Sequence, residues 1–212
     1  MTDLTIEQAA AAFVTGLTFE TISAEALAGT RRLMEDQLAL QVGCSSLPWC
    51  QAILDLTRAS HAPGVSSVTA SDDRFSAADA AFVNATFGHS FEYDDAHSAS
   101  LSHPGSAVVS AAIAIGEETG ATIEDVLVGI VAGYEIYTRI GTLAAPMLLQ
   151  NGFHPHAVLS LRRCGRRRED EGLRRRGHAA RTVHRVQPQF GHHRVHELGR
   201  LDQADPLRDR HP

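Results

Sequence analysis

The chain of 212 residues contains no lysine; all 19 of its basic residues are arginine. Cationic partners for an anionic ligand are therefore confined to arginine and the 12 histidines. Cysteine is scarce: Cys44, Cys50 and Cys164 are odd in number and lack metal-site spacing. That argues against a disulfide framework and against a structural zinc site, and leaves idle thiols in a reducing cytoplasm. No long apolar run is present. The longest, Val126–Gly133, falls far short of the roughly 20 residues of a membrane span, and no charged-plus-apolar leader precedes it. The opening MTDLTIEQAAAAF reads instead as an amphipathic helix. A cytoplasmic protein with no membrane partner is the expectation. Asn84-Ala85-Thr86 matches a glycosylation sequon, which has no meaning without export.

The net charge of −6 hides a discontinuity. Residues 1–160 hold 5 Arg and 18 Asp/Glu, a balance of −13, whereas residues 161–212 hold 14 Arg and 7 Asp/Glu, a balance of +7. The second segment also lacks Ile, Met, Tyr and Trp and shows no apolar periodicity. Such a composition cannot bury a core, so two regions are expected: a folded body over 1–160 and an irregular or disordered tail over 161–212.

The body reads as a succession of helices, so the fold class is all-α. Thr5-Ile6-Glu7-Gln8 is a capping box opening a helix to about Gly16. Ser23 opens a longer one whose apolar face is Leu27, Met34, Leu38 and Val42. Pro48 suits a first turn, followed by a stripe of Trp49, Ile53 and Leu56. His61–Arg74 reads as a loop, with only Val65–Thr69 faintly strand-like. Ser76 opens a helix carrying Val83, Phe87 and Phe91. Pro104 precedes another, with Val108, Ala112 and Ile115, that halts at Gly120. Thr122 caps the last, with Leu127, Ile130, Tyr134 and Tyr137 facing inward.

Between these helices lies FEYDDAHSASLSHPG, Phe91 to Gly105, and later GFHPH, Gly152 to His156. Acid–base groups this dense serve a core poorly. Three readings of Glu92, Asp94, Asp95, His97, His103 and His154 compete. The groups are solvated at a helix C-terminus, where carboxylates oppose the dipole. Or Asp and His ligate a metal, although the spacing matches no known ligand geometry. Or a carboxylate orients an imidazole that moves a proton, with no metal.

Three ordered stretches shift this balance. Asn84 to Gly105 (NATFGHSFEYDDAHSASLSHPG), Gly133-Tyr134-Glu135-Ile136 and Gly152-Phe153-His154-Pro155 resemble the MmgE/PrpD family, which includes 2-methylcitrate dehydratase and cis-aconitate decarboxylase. The resemblance covers almost all of residues 1–160. It implies part of a large helical domain, normally accompanied by a smaller α/β domain. It also implies a lyase that acts on small di- or tricarboxylates, with no redox cofactor, no metal and a homodimeric intact relative. Family active-site positions carry over to Glu92, Ala96, His103 and His154. His103 and His154 are then catalytic, Glu92 and Ala96 face substrate, and Asp94, Asp95 and His97 fix the loop. Glu92 stands where Asp is usual and Ala96 where a Thr hydroxyl is usual, so substrate or efficiency can differ. Dehydration, decarboxylation and epimerisation are all compatible with these residues.

The resemblance stops at Ser160, where the composition breaks. Moving the frame of a permitted back-translation of Leu161–His211 by one base converts arginine codons to alanine. The result is an Ala-rich, helix-patterned string like the family's continuation. A frameshifted tail on a truncated and inactive fragment is therefore expected. The rival is a non-catalytic helical module whose 14 tail arginines bind nucleic acid. Only Phe190 interleaves them, and no recognition motif is present.

Overall fold

The computed structural model describes residues 5–60 and 63–156. Its elements run in the order α1 (Ile6–Gly16), a 3-10 turn (Phe19–Thr21), α2 (Ala24–Cys44), α3 (Pro48–Ser60), β1 (Pro63–Ser67), β2 (Arg74–Phe75), α4 (Ala77–His89), α5 (Pro104–Thr119) and α6 (Ile123–Gln150). The body is helical, as the sequence implies. The expectations for the tail and for Cys164 fall outside the described residues.

Helix starts follow local chemistry. Thr5 and Thr122 form complete capping boxes with Gln8 and Asp125, and Ser23 and Ser76 accept from the amides of Ala26 and Asp79. Each cap satisfies an amide that the first turn cannot. At its far end α5 stops at Gly120, whose φ of 66° is left-handed and cheap only for glycine.

α4 and α5 form the centre. One core cluster joins Cys44, Cys50, Leu54, Val68, Phe75, Ala77, Ala80, Val83, Phe87 and Ala114. A smaller one joins Ile22, Leu27 and Leu127 near the start of α6. Small residues let the helices close up. A Cβ on Gly133 of α6 would come within 2.5 Å of Val108 on α5.

Two helix faces differ from expectation. On α2 the buried face is Leu27, Thr30, Gln37, Gln41 and Cys44, while Val42 is exposed and Met34 and Leu38 are half-buried. The face is polar because it meets a polar partner: Gln41 donates to Ser110 Oγ at 3.0 Å and accepts from Thr69 Oγ1 at 2.6 Å. On α3 Cys50, Leu54 and Thr57 face inward, with Trp49 and Leu56 in solvent. Phe91, expected to extend the α4 stripe, lies beyond the end of that helix and is exposed.

The expected loop at 61–74 contains instead a short antiparallel hairpin, β1 with β2. Strands this short need tertiary anchors. Ser66 donates to the Ala114 carbonyl at 2.7 Å, and Asn84 of α4 donates to the Ser67 carbonyl and accepts from the Thr69 amide. Asn84, the sequon residue, is therefore a buried structural clamp.

Among the described residues one helix, α6, is long and apolar enough to cross a membrane by length and composition. Counting contiguous apolar residues overlooked it. It packs here against α1, α2 and α5 and carries Glu124, Asp125, Glu135 and Arg139.

Candidate functional site

α4 ends at His89, and its Ser90 cap turns the chain into the loop that leads to α5. Glu92 and Leu101 take positive φ values of 53° and 48°, so two sharp reversals compact the segment. The loop also binds itself. The amide of His97 donates to the Ser102 carbonyl at 2.8 Å, and His97 Nδ1 meets Ser100 Oγ at 2.8 Å. Buried Ser100 and Ser102 share a hydrogen bond of 2.6 Å. His97 thus lies within the loop's own framework. The loop ends at His103, the residue that caps α5, with Pro104 in its first turn.

The fold at this point delivers one carboxylate to several imidazoles. The Asp94 side chain is wholly buried. His89 Nδ1 approaches its two oxygens at 2.9 and 3.1 Å, and His103 Nδ1 lies 3.3 Å from Oδ1. His156, just past α6, completes the group. Its ring centroid is 4.4 Å from that of His89 and 5.6 Å from that of His103. A carboxylate removed from water needs partners of this kind.

The imidazoles are not equivalent. The Asp94 hydrogen bond, opposed by burial and aided by the Asp94 charge, raises the pKa of His89. Burial first, then the neighbouring His89 and His103, push His156 down to about 4. Hydrogen bonding agrees with that direction. His156 Nδ1 accepts from the His103 amide at 3.2 Å and lies 3.3 Å from the Tyr137 hydroxyl. A nitrogen that accepts carries no proton. The site thus offers an imidazole biased towards the charged form beside one held neutral.

Asp95 has a different task. Its Oδ1 accepts from the Gly105 amide at 2.9 Å and its Oδ2 from the Tyr134 hydroxyl at 3.1 Å. An acid at a helix N-terminus meets unpaired amides and a favourable dipole. Burial raises the Asp95 pKa against those two hydrogen bonds, and burial with the Asp95 charge raises that of Tyr134. Gly105 is required for this approach. A Cβ there would land on Asp95 Oδ1, 2.7 Å from the Tyr134 hydroxyl.

Of the seven residues singled out in the sequence, the fold brings Asp94 and His103 into contact and sets Asp95 beside them through Gly105. Glu92, Ala96 and His154 are exposed. His154 is nonetheless close enough for its charge to act on His156. Sequence reasoning assigned no role to His89 or His156. Both were visible: His89 stands five residues before Asp94, one helix end away, and His156 repeats the His-Pro-His pattern. Arginines whose partners are defined are engaged elsewhere, Arg58 with Asp55 and Asp73, Arg74 with the Val65 carbonyl and Arg139 with Glu135. Cys44 lies near enough to feel Asp94, but burial raises its thiol pKa first, which keeps it unreactive.

Residues 8–161 match the family model of the MmgE/PrpD N-terminal domain. Cis-aconitate decarboxylase of Aspergillus terreus is 30% identical over 152 residues, which cover 69% of this chain and 31% of that protein. The cis-aconitate decarboxylase-like protein oryM of Aspergillus oryzae is 29% identical over 154 residues, 69% of this chain and 32% of that protein. The matched stretch spans about a third of the length of these curated relatives.

Proposed function

Because the chain belongs to the MmgE/PrpD family through its N-terminal domain, we propose that it carries the acid–base half of a lyase site for small di- or tricarboxylates. The observation that supports this is the pairing of His103, at the mouth of α5, with a wholly buried Asp94. A fixed carboxylate orients the ring, as general acid–base catalysis needs. His156, held neutral at pH 7, accepts from the His103 amide through Nδ1 and so fixes the backbone that carries the catalytic ring. In a dehydration the base removes a proton from carbon and the acid protonates the departing hydroxyl. In a decarboxylation the acid supplies the proton that replaces the lost carbon dioxide. The names of the two relatives favour decarboxylation. His154, on the exposed rim, is assigned to contact with an outer carboxylate, and Glu92 to a hydroxyl of the substrate.

The second part of the proposal concerns residues 161–212. The family match ends at residue 161, one residue after the balance of charge reverses. A one-base frame change there accounts for both. The restored chain regains a lysine-bearing continuation that supplies charge the acidic body lacks. A cytoplasmic homodimer is proposed for that restored form, and inactivity for the chain as it stands.

The test is expression of the 212-residue chain and of a frame-restored gene, each assayed on cis-aconitate and on 2-methylcitrate. Turnover by the restored form, lost in its His103→Ala variant with folding retained, supports the proposal. No open frame continuing the family pattern, or a His103→Ala variant at full rate, refutes it.

A further inference from the structure

We propose that His89, Asp94 and His103 form a binding site for a divalent transition metal of the zinc or cobalt class, whose occupation opposes the acid–base role of the same groups. The proposal rests on residues and distances and not on the identity of any substrate. One ligand atom from each side chain falls within 4.8 Å of the others. His89 Nδ1 lies 2.9 Å and His103 Nδ1 3.3 Å from the same oxygen, Asp94 Oδ1. Metal–ligand bonds of about 2.1 Å place neighbouring ligands about 3.0 Å apart at a right angle and about 3.4 Å apart in a tetrahedron. The two observed separations lie within or just below that interval. The third pair, the two imidazole nitrogens, lies within 4.8 Å, so an ion enters as the rings close on it.

The donor set chooses the metal. Two imidazoles and one carboxylate suit zinc, cobalt, iron and nickel, whereas magnesium and calcium prefer oxygen cages. The site is also backed as such sites are. Asp94 is wholly buried and each imidazole is about three-quarters so, while the ring of His156 lies against both imidazoles. A proton and a metal compete for the same lone pairs. Metal on Nδ1 takes the place of the proton that faces Asp94, so His103 can no longer cycle between imidazolium and imidazole through Nε2, and the ion inhibits.

Six histidines between residues 178 and 211 add background binding, so the readout must be site-resolved. The metal-stripped 212-residue chain is titrated with cobalt(II) and followed by its visible ligand-field bands. The same titration is run on His89→Gln, Asp94→Asn and, as a control outside the cluster, His154→Ala. Zinc protection of individual histidines from diethylpyrocarbonate is mapped on the unaltered protein by mass spectrometry. The expected result is a component of the spectrum weakened more than about tenfold in affinity by the first two substitutions and unchanged by the third. Zinc then shields His89 and His103 while His97 and His154 stay reactive. Equal titrations in all four proteins, or zinc shielding confined to the tail histidines, overturn the site. If a variant does not fold, the protection map on the unaltered chain decides alone. Failure here leaves the lyase reading intact, because that reading is tested by turnover.

Discussion

Acid should destabilise this body through His156 in a way that substitution of that one residue relieves. Its pKa falls from the ordinary imidazole value of about 6.5 to about 4 in the fold. The unfolded chain thus takes up a proton between those values while the folded chain does not. Stability contributed by the neutral ring is present above about pH 6.5 and is lost as pH drops towards 4. At about 1.36 kcal/mol per pH unit the interval sets a ceiling of about 3.4 kcal/mol. The ring is only half-buried, so solvent screening reduces that to about 1–2 kcal/mol. His89 opposes this effect. Its raised pKa stabilises the fold below about pH 6.5 and that benefit disappears as pH rises through the folded value. Asp95, raised by burial, also favours the fold in acid. Comparing the protein with His156→Gln removes the contributions common to both. Urea denaturation at pH 7 and pH 4.5 provides the measurement. The variant should lose about 1–2 kcal/mol less on acidification than the parent. Equal losses would refute the reading of His156 as a ring held neutral.

Three further outcomes are expected. Gly105→Ala should cost about 1–3 kcal/mol in denaturant unfolding through overpacking and should move the Asp95–Tyr134 contact, seen as altered near-UV dichroism. Leu54→Ala on α3 should cost about 2–5 kcal/mol, whereas Leu56→Ala two residues on should stay within about 0.5 kcal/mol; equal losses would return the inward face to the one expected from sequence. In the frame-restored enzyme a chelator should leave turnover unchanged or raise it, and added zinc should lower it; a chelator that abolishes the rate would make the metal a requirement.

Helix positions were legible wherever a local chemical signal set them. Thr5, Ser23, Ser76 and Thr122 announce helix starts because a side-chain oxygen three residues upstream is what the first turn needs. Gly120 and Pro104 announce an end and a beginning for equally local reasons. The inward faces of α2 and α3 were not legible. Periodicity assumes that buried means apolar, and Gln41 is buried because Ser110 and Thr69 lie opposite it. Gln37 beside it is also buried, and its side-chain nitrogen and oxygen meet no partner among the described residues. The hairpin escaped notice because its anchors, Ala114 and Asn84, are distant in sequence. At the site, the loop of Asp94, Asp95 and His103 was visible as a density of titratable groups. His89, although visible five residues before Asp94, was passed over because it ends a helix and looks like an ordinary C-terminal base. The pairing of His156 with His103 needed the full span of α5 and α6 to become apparent.

The cluster's proton count follows from its spacing. His89 and His156 have ring centroids 4.4 Å apart. Two protonated rings at that distance repel by about 4 kcal/mol at an effective dielectric of about 20. One buried carboxylate, Asp94, balances one positive charge and not two. The group therefore favours positive charge on His89, whose pKa its hydrogen bond to Asp94 raises, with His156 left as an unprotonated neighbour. A ring biased towards the charged form and a neutral one then stand side by side. The body surrounding them is acidic, with 18 carboxylates against 5 arginines in residues 1–160. A polycarboxylate approaching this acidic body meets net repulsion, which protonated histidines offset. Its binding should therefore favour the protonated cluster, and the affinity of the body for citrate-like anions should fall as pH rises from 6 to 8. Calorimetric titration across that range checks the sign, and affinity that rises with pH would refute the assignment of the histidines as the cationic partners.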